Sequence, residues 1–243
     1  MTDATDTRRP IGPQSSSGRR HGLTRDQVLT AALKIVDESG VEALTMRRLG
    51  QALERNPMAI YRHATSKEDL LDGVVEQVAA ELVTSSPPEQ DRDDGGDNGW
   101  ENALRRTAHT FRRVALAHPN VVPLLVTRPL SGPLASRPLG TLLPFEELLE
   151  VFISAGFDNH GALHAARLFT GFLYGHVIHE LQERVHAPDE TDDLLRLGLH
   201  RLRVTQFPRL RSLAAELAAY DGATELDEGL AILLAGLRSQ LLT

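Results

Sequence analysis

The chain contains no cysteine. Disulfides, thiolate metal sites, a cysteine nucleophile and thiol-based redox sensing are therefore excluded. No apolar run reaches the roughly eighteen residues that a membrane-spanning helix needs, and the polar opening segment has no apolar stretch of the kind a secretory signal requires, so the expected location is the cytoplasm, with no membrane partner. Catalytic signatures are also missing: there is no Gly-rich phosphate loop, no Gly-x-Ser-x-Gly and no His-Glu-x-x-His, and the carboxylates cluster in segments that read as linkers. An enzyme is not expected. Lysine is scarce, two residues against twenty-four arginines, which points to a GC-rich genome and not to a function.

What remains is an ordinary globule: 243 residues, 41% hydrophobic and 24% charged, enough for one large or two small domains. The net charge of −7 is unevenly spread. Residues 19–67 carry nine Lys/Arg against five Asp/Glu, whereas residues 68–104 carry eleven acids against Arg92 alone. A basic N-terminal module on an acidic body would orient itself on a polyanion, because the wrong end is repelled.

Residues 1–22 are almost devoid of apolar side chains and read as a disordered arm ending in Arg19, Arg20 and His21. Such an arm either reaches into a minor groove or serves only as a solubilising tail. Order begins at Thr24, with Gln27 three residues on in a capping-box pattern, and Val28, Ala32, Ile35 and Val36 mark the buried face of a first helix that Gly40 ends in a left-handed conformation. A second helix follows Thr45 and runs through Leu49 to Leu53. Glu54-Arg55-Asn56 is a turn, and a third helix spans Pro57 to His63, with Asn56 as cap and Pro57 at the first helical position. This is the spacing of a DNA-binding helix-turn-helix.

Charge placement adds a physical argument. Arg47 and Arg48 follow the cap Thr45, and Lys67 follows the cap Ser66, so cations sit at helix N-termini that favour anions. A bound phosphate would convert that repulsion into attraction; the alternative is that the side chains swing into solvent. On the third helix Ile60 must face Leu49 and Leu53, which turns Pro57, Met58, Ala59, Tyr61, Arg62 and His63 outward. Arg62 then suits a guanine, Met58 and Ala59 suit thymine methyls, and Tyr61 and His63 suit phosphates.

Leu44-Thr45-Met46-Arg47-Arg48-Leu49, the Pro57–His63 segment and Ser66-Lys67-Glu68-Asp69-Leu70-Leu71 resemble the Tet repressor family of one-component bacterial regulators. The resemblance implies an all-α fold with a three-helix DNA-binding domain over residues 23–68, a helical effector-binding and dimerisation domain over 69–243, and a homodimer on double-stranded operator DNA. It continues through Trp100, Phe111-Arg112-Arg113, Thr127-Arg128-Pro129, Phe145-Glu146, Ala155-Gly156-Phe157 and Phe169-Thr170-Gly171-Phe172 in the manner of the tetracycline-repressor branch. This chain departs from that branch where the drug repressor has its metal-binding histidine, since Leu124 stands there, and Leu82 or Val83 occupies the place of a drug-contacting histidine. An apolar small molecule without metal fits better than a magnesium–tetracycline complex, and no cofactor is expected.

In the body, Leu70, Val74, Val78 and Leu82 form a stripe on a lever helix, and a Pro-, Gly- and acid-rich linker follows from Thr84 to Gly99. Residues 127–140 read either as a loop over a pocket mouth or as a surface crossing. The helix from Asn159 to Val185 is apolar on several sides and carries Gly171 and Gly175, each costing roughly 1 kcal/mol relative to Ala unless a backbone or a ligand approaches closely. Leu168, Gly171, Gly175 and Ile178 on that helix, with Leu230, Leu233, Leu237 and Leu241 on the last, are the expected dimer face; an intramolecular bundle is the alternative. Trp100, Phe111, Leu124, Leu125, Phe145, Phe152, Phe172 and His176 are the pocket candidates, with His118 and Arg128 as polar anchors. His160 with His164, and His176 with His179 and Glu180, have helical metal spacing but no third ligand placed by sequence, so no metal is assigned. The expected function is an effector-released repressor on a palindromic operator. The rival is an architectural or partner-recruiting DNA-binding protein with no small-molecule effector, which a filled core and a large exposed apolar patch would favour.

Overall fold

The computed structural model describes residues 23–84, 99–126, 139–183 and 197–241. The expected arm over 1–22, Arg128, most of the 84–99 linker and of the 127–140 loop, and the side chain of Leu241 lie outside them. The described residues form eleven α-helices and no strand. No helix among them is long and apolar enough to cross a membrane.

Helix α1 (Arg25–Ser39) starts on the reciprocal capping box of Thr24 and Gln27 and buries Val28, Leu29, Ala32, Ile35 and Val36. It ends at Gly40, whose φ of 81° is positive as expected, although its ψ of 167° is extended and not left-handed helical. Helix α2 (Met46–Ala52) closes in a Schellman arrangement: Arg55 N–H donates to Gly50 O at 2.9 Å and Glu54 N–H to Gln51 O at 3.2 Å. Glu54 takes the left-handed position of that closure, with φ of 52°. Helix α3 is shorter than the spacing predicts, a single turn at Pro57–Ile60. The i−4 ladder weakens there, since Tyr61 N–H reaches Pro57 O at 3.4 Å while His63 N–H pairs with Ile60 O, three residues back, at 2.8 Å.

Helix α4 (Lys67–Thr84) leads into the body. There α5 (Gly99–Ala117), α6 (Val122–Val126), α7 (Leu143–Ser154), α8 (Asn159–Glu183), α9 (Pro208–Ser212), α10 (Ala214–Ala218) and α11 (Gly222–Leu241) follow, with 3-10 turns at Leu139–Thr141 and Leu199–Arg201. Two apolar cores result. One gathers Val28, Val36, Leu49, Ile60, Val74 and Val78, and also takes in Val114 and Val121 from the end of α5 and the entry to α6. The other gathers Leu104, Phe111, Phe152, Phe169, Leu226 and Leu230 of α5, α7, α8 and α11. Leu82 on α4 touches both, so α4 is the rod on which the N-terminal module and the body meet.

Candidate nucleic-acid interface and effector site

Three caps build the N-terminal face. Thr45 Oγ1 accepts from Arg48 N–H at 3.1 Å, Asn56 Oδ1 from Met58 N–H at 2.9 Å, and Ser66 Oγ from Asp69 N–H at 3.0 Å. Ile60 is fully buried on α3, whereas Met58 is 70% and Tyr61 46% exposed. Arg62 is exposed beside them, Ala59 and His63 are half-buried, and Pro57 is half-buried because it abuts Gly50. Sequence reasoning overlooked Gly50, where a Cβ would stand 2.9 Å from Arg55 O and 3.3 Å from the Pro57 ring; this close approach fixes how α3 leaves α2.

The three N-terminal cations differ. Arg47 is exposed, Arg48 Nη2 donates to Ser39 Oγ at 2.7 Å, and Lys67 Nζ lies 3.4 Å from Glu42 Oε2. The Glu42 pair is at the surface, the kind worth about 0–1 kcal/mol, so an arriving phosphate can displace it.

Within the body, Trp100, Phe111, Phe145, Phe152 and Phe172 belong to one cluster or pack against it, and the His176 ring lies 6.0 Å from that of Phe172. Trp100 stands over Phe152 and edge-on to Phe157 at 6.2 and 5.5 Å, and Phe111 faces Tyr174 at 5.4 Å. Leu124 and Leu125 do not join them; they pack on the N-terminal core, because α6 turns towards α1. His118 is likewise placed away from the aromatic cluster. Its Nδ1 lies 2.9 Å from Asp37 Oδ2 and its Nε2 3.4 Å from Glu81 Oε1, so its polar atoms serve the junction of α1, α4 and α5 and not a ligand anchor.

The polar centre of the body is a pair that sequence reasoning did not find. Arg112 donates to Glu180 from Nε at 2.8 Å and from Nη2 at 2.6 Å, and Glu180 is only 5% exposed. His176 is 9% exposed, and its Nε2, 3.7 Å from Glu180 Oε2, is the ring nitrogen that has no hydrogen-bond partner. Burial pushes its imidazole below the usual histidine range, opposed by the neighbouring Glu180 carboxylate. Among the described residues no three His, Asp or Glu side chains gather as a metal site.

The long helices leave one face open. Leu168 is 43% and Ile232 77% exposed, and a Cβ on Gly171, Gly175 or Gly236 would meet nothing within 4 Å. Leu230 and Leu237, expected on that face, are instead buried in the chain's own core, and Leu233 packs against it. Ile178 is half-buried on α8. The open stripe of α11 therefore runs through Ile232 and Gly236.

A family model described as the tetracyclin repressor-like C-terminal domain matches residues 93–241, and one described as bacterial regulatory proteins, tetR family, matches residues 28–74. The chain is 29% identical over 231 residues to an HTH-type transcriptional regulator of Saccharopolyspora erythraea, covering 93% of this chain and 89% of that one. It is 28% identical over 224 residues to the class C tetracycline repressor protein of Escherichia coli, covering 91% and 93%. Among solved structures, ActR of Streptomyces coelicolor in complex with actinorhodin superposes with a TM-score of 0.69 at 25% identity, covering 90% of this chain and 97% of that one.

Proposed function

Since the chain belongs to the tetracycline-repressor family of bacterial regulators, we propose that it is a homodimeric transcriptional repressor of the cytoplasm that holds a palindromic operator and is released by a small apolar or amphipathic effector. It is a regulator and not an enzyme. The observation that carries the operator reading is α3 itself: Met58 and Tyr61 are held out in solvent by a single helical turn whose Ile60 is fully buried. Met58, held out beside Arg62, suits thymine methyls and base edges in a major groove, while Tyr61 is presented to a phosphate. Thr45, Arg47, Arg48, His63 and Lys67 flank it as phosphate contacts, and Pro57 and Ala59 complete its surface.

A second copy is the partner that the open face of α8 and α11 suits. Leu168 and Ile232 supply apolar area, and the space beside Gly171, Gly175 and Gly236 admits a close helix approach. Two reading turns about one helical repeat apart would then engage the two half-sites of a palindrome.

The effector would enter among Trp100, Phe111, Phe145, Phe152 and Phe172, with the Arg112–Glu180–His176 group at its polar side. The solved complexes of ActR with (S)-DNPA and with actinorhodin support a small-molecule effector. Gly140 N–H donates to Glu76 Oε1 on α4 at 3.2 Å, immediately before α7 carries Phe145 and Phe152 into the aromatic cluster. Displacement of α7 by an effector would thus pull on α4 and change the separation of the two reading turns, a population shift for which a coupling of ~1–3 kcal/mol gives a 5- to 150-fold loss of operator affinity.

The test is titration of the protein, by fluorescence anisotropy, against its own upstream intergenic DNA and an unrelated duplex at two salt concentrations. Selective, salt-sensitive binding with two subunits per site is expected. Lys67→Ala should reduce the salt slope by about 0.9 for the phosphate lost in each subunit, and Arg62→Ala should relax preference at one base pair of each half-site. Equal affinity for both duplexes would overturn the operator reading in favour of an architectural role.

A further inference from the structure

We infer that Arg25 and Asp69 act as a clamp that positions the reading turn without touching DNA, a role that rests on the operator-binding reading. The residues that face outward lie partly beyond the last helical residue of α3, where Tyr61, Arg62 and His63 continue as a turn. From inside, that turn is pinned by Ile60 and Ala64, 0% and 1% exposed. From outside, it is held by a different device. The Arg25 guanidinium, on the first residue of α1, donates through Nη1 to His63 O and through Nη2 to Asp69 Oδ1 at 3.0 Å. Asp69 Oδ2 in turn accepts from Thr65 N–H at 2.9 Å and from Thr65 Oγ1 at 3.3 Å. The start of α1, the start of α4 and the link that ends the reading turn are therefore tied through one guanidinium and one carboxylate.

Both partners work locally. The Thr65 backbone N–H, followed by Arg25, holds the Asp69 carboxyl below the usual carboxylate range, so it stays ionised wherever the protein is folded near neutral pH. The Asp69 charge offsets that of Arg25, and two guanidinium nitrogens are engaged within the chain, which leaves the pair a poor phosphate ligand. With side chains 47% and 30% exposed, the ion pair adds little to global stability. Its effect is on where Tyr61 and Arg62 point.

Electrostatics and positioning predict opposite signs for one substitution. Asp69→Ala removes a negative charge from the DNA-facing module, so charge alone predicts tighter binding to any duplex. The clamp predicts weaker binding to the preferred site. The experiment first selects that site from a random-sequence library with the wild-type protein, then measures Asp69→Ala, Arg25→Ala and the double variant on it and on an unrelated duplex across a salt series. Asp69→Ala and Arg25→Ala should each lose about tenfold on the selected site and less on the unrelated duplex. The double variant should be no weaker than Arg25→Ala, and the salt slope of Arg25→Ala should match the wild type. Arg25→Lys, which keeps the charge but not the fork, should recover only part of the loss. Tighter binding of Asp69→Ala to both duplexes, or a salt slope lowered by about 0.9 per subunit in Arg25→Ala, would overturn the clamp. Should Asp69→Ala lose helical circular dichroism, Asp69→Asn carries the same comparison of sign. A wild-type protein that selects no sequence would instead bring down the operator reading and the clamp with it.

Discussion

His118 and Asp37 join the body to the N-terminal module: Nδ1 at the end of α5 lies 2.9 Å from Oδ2 in the last turn of α1. Asn120 supports the joint from the same corner, its Nδ2 donating to Val36 O and Asp37 O at 3.0 Å each. Behind them Val114 and Val121 enter the N-terminal core, so the α5–α6 corner is attached to α1 by polar and apolar contacts together.

A double-mutant cycle should detect that attachment. His118→Ala and Asp37→Ala are expected to be non-additive in urea denaturation by about 0.5–3 kcal/mol, as for residues in direct contact. Asn120→Ala should cost about 1 kcal/mol by withdrawing its donor from two carbonyls. Strict additivity of the His118 and Asp37 substitutions would show that the pair contributes nothing.

The Arg112–Glu180 pair has a different energetic character, because Glu180 is nearly inaccessible. Arg112→Met leaves a buried carboxylate unpaired and should cost about 3–5 kcal/mol, whereas Arg112→Met with Glu180→Leu should recover most of that loss. Equilibrium denaturation of both variants decides. A double variant as unstable as the single one would show that the pair is also needed for packing against Gly222, where a Cβ would stand 2.3 Å from the Glu180 carboxyl carbon.

His176 makes stability depend on pH. Its folded pKa is depressed by burial, so the unfolded chain takes up the proton first as pH falls below the ordinary histidine value of about 6.5. The stabilisation is complete above that value and is lost as pH falls towards the folded pKa. Unfolding free energies measured at about pH 7.5 and 5.5 should converge in His176→Gln relative to the wild type. An unchanged pH slope would mean that the imidazole is solvated.

The turn between α2 and α3 offers two substitutions of opposite sign. Gly50→Ala forces a Cβ against Arg55 O and Pro57 and should destabilise by about 1–3 kcal/mol while weakening DNA binding. Glu54→Gly relieves a left-handed residue at φ of 52° and should stabilise by about 1 kcal/mol, raising Tm by about 2–4 °C. Thermal melts followed by circular dichroism check both.

The sequence by itself determined the features that depend on neighbours in the chain. Thr24 with Gln27, Thr45 before Arg48 and Asn56 before Pro57 are caps whose hydrogen bonds close within three residues, and the structure contains each of them. The buried stripe Val28, Ala32, Ile35 and Val36 follows in the same way from helical periodicity. The inward Ile60 and outward Met58 and Tyr61 were legible because one turn of helix divides them. Only the tertiary structure decided which partner a side chain meets across a distance in sequence. Arg112 finds Glu180 sixty-eight residues away, Arg25 finds His63 thirty-eight away, and His118 turns to Asp37 instead of a pocket. It also decided that Leu230 and Leu237 are core while Ile232 is exposed, because α8 and α11 are apolar on more than one face and periodicity cannot choose among faces. That choice depends on how whole helices pack, and packing is a property of the assembled layers, with no counterpart in the spacing of residues along one helix.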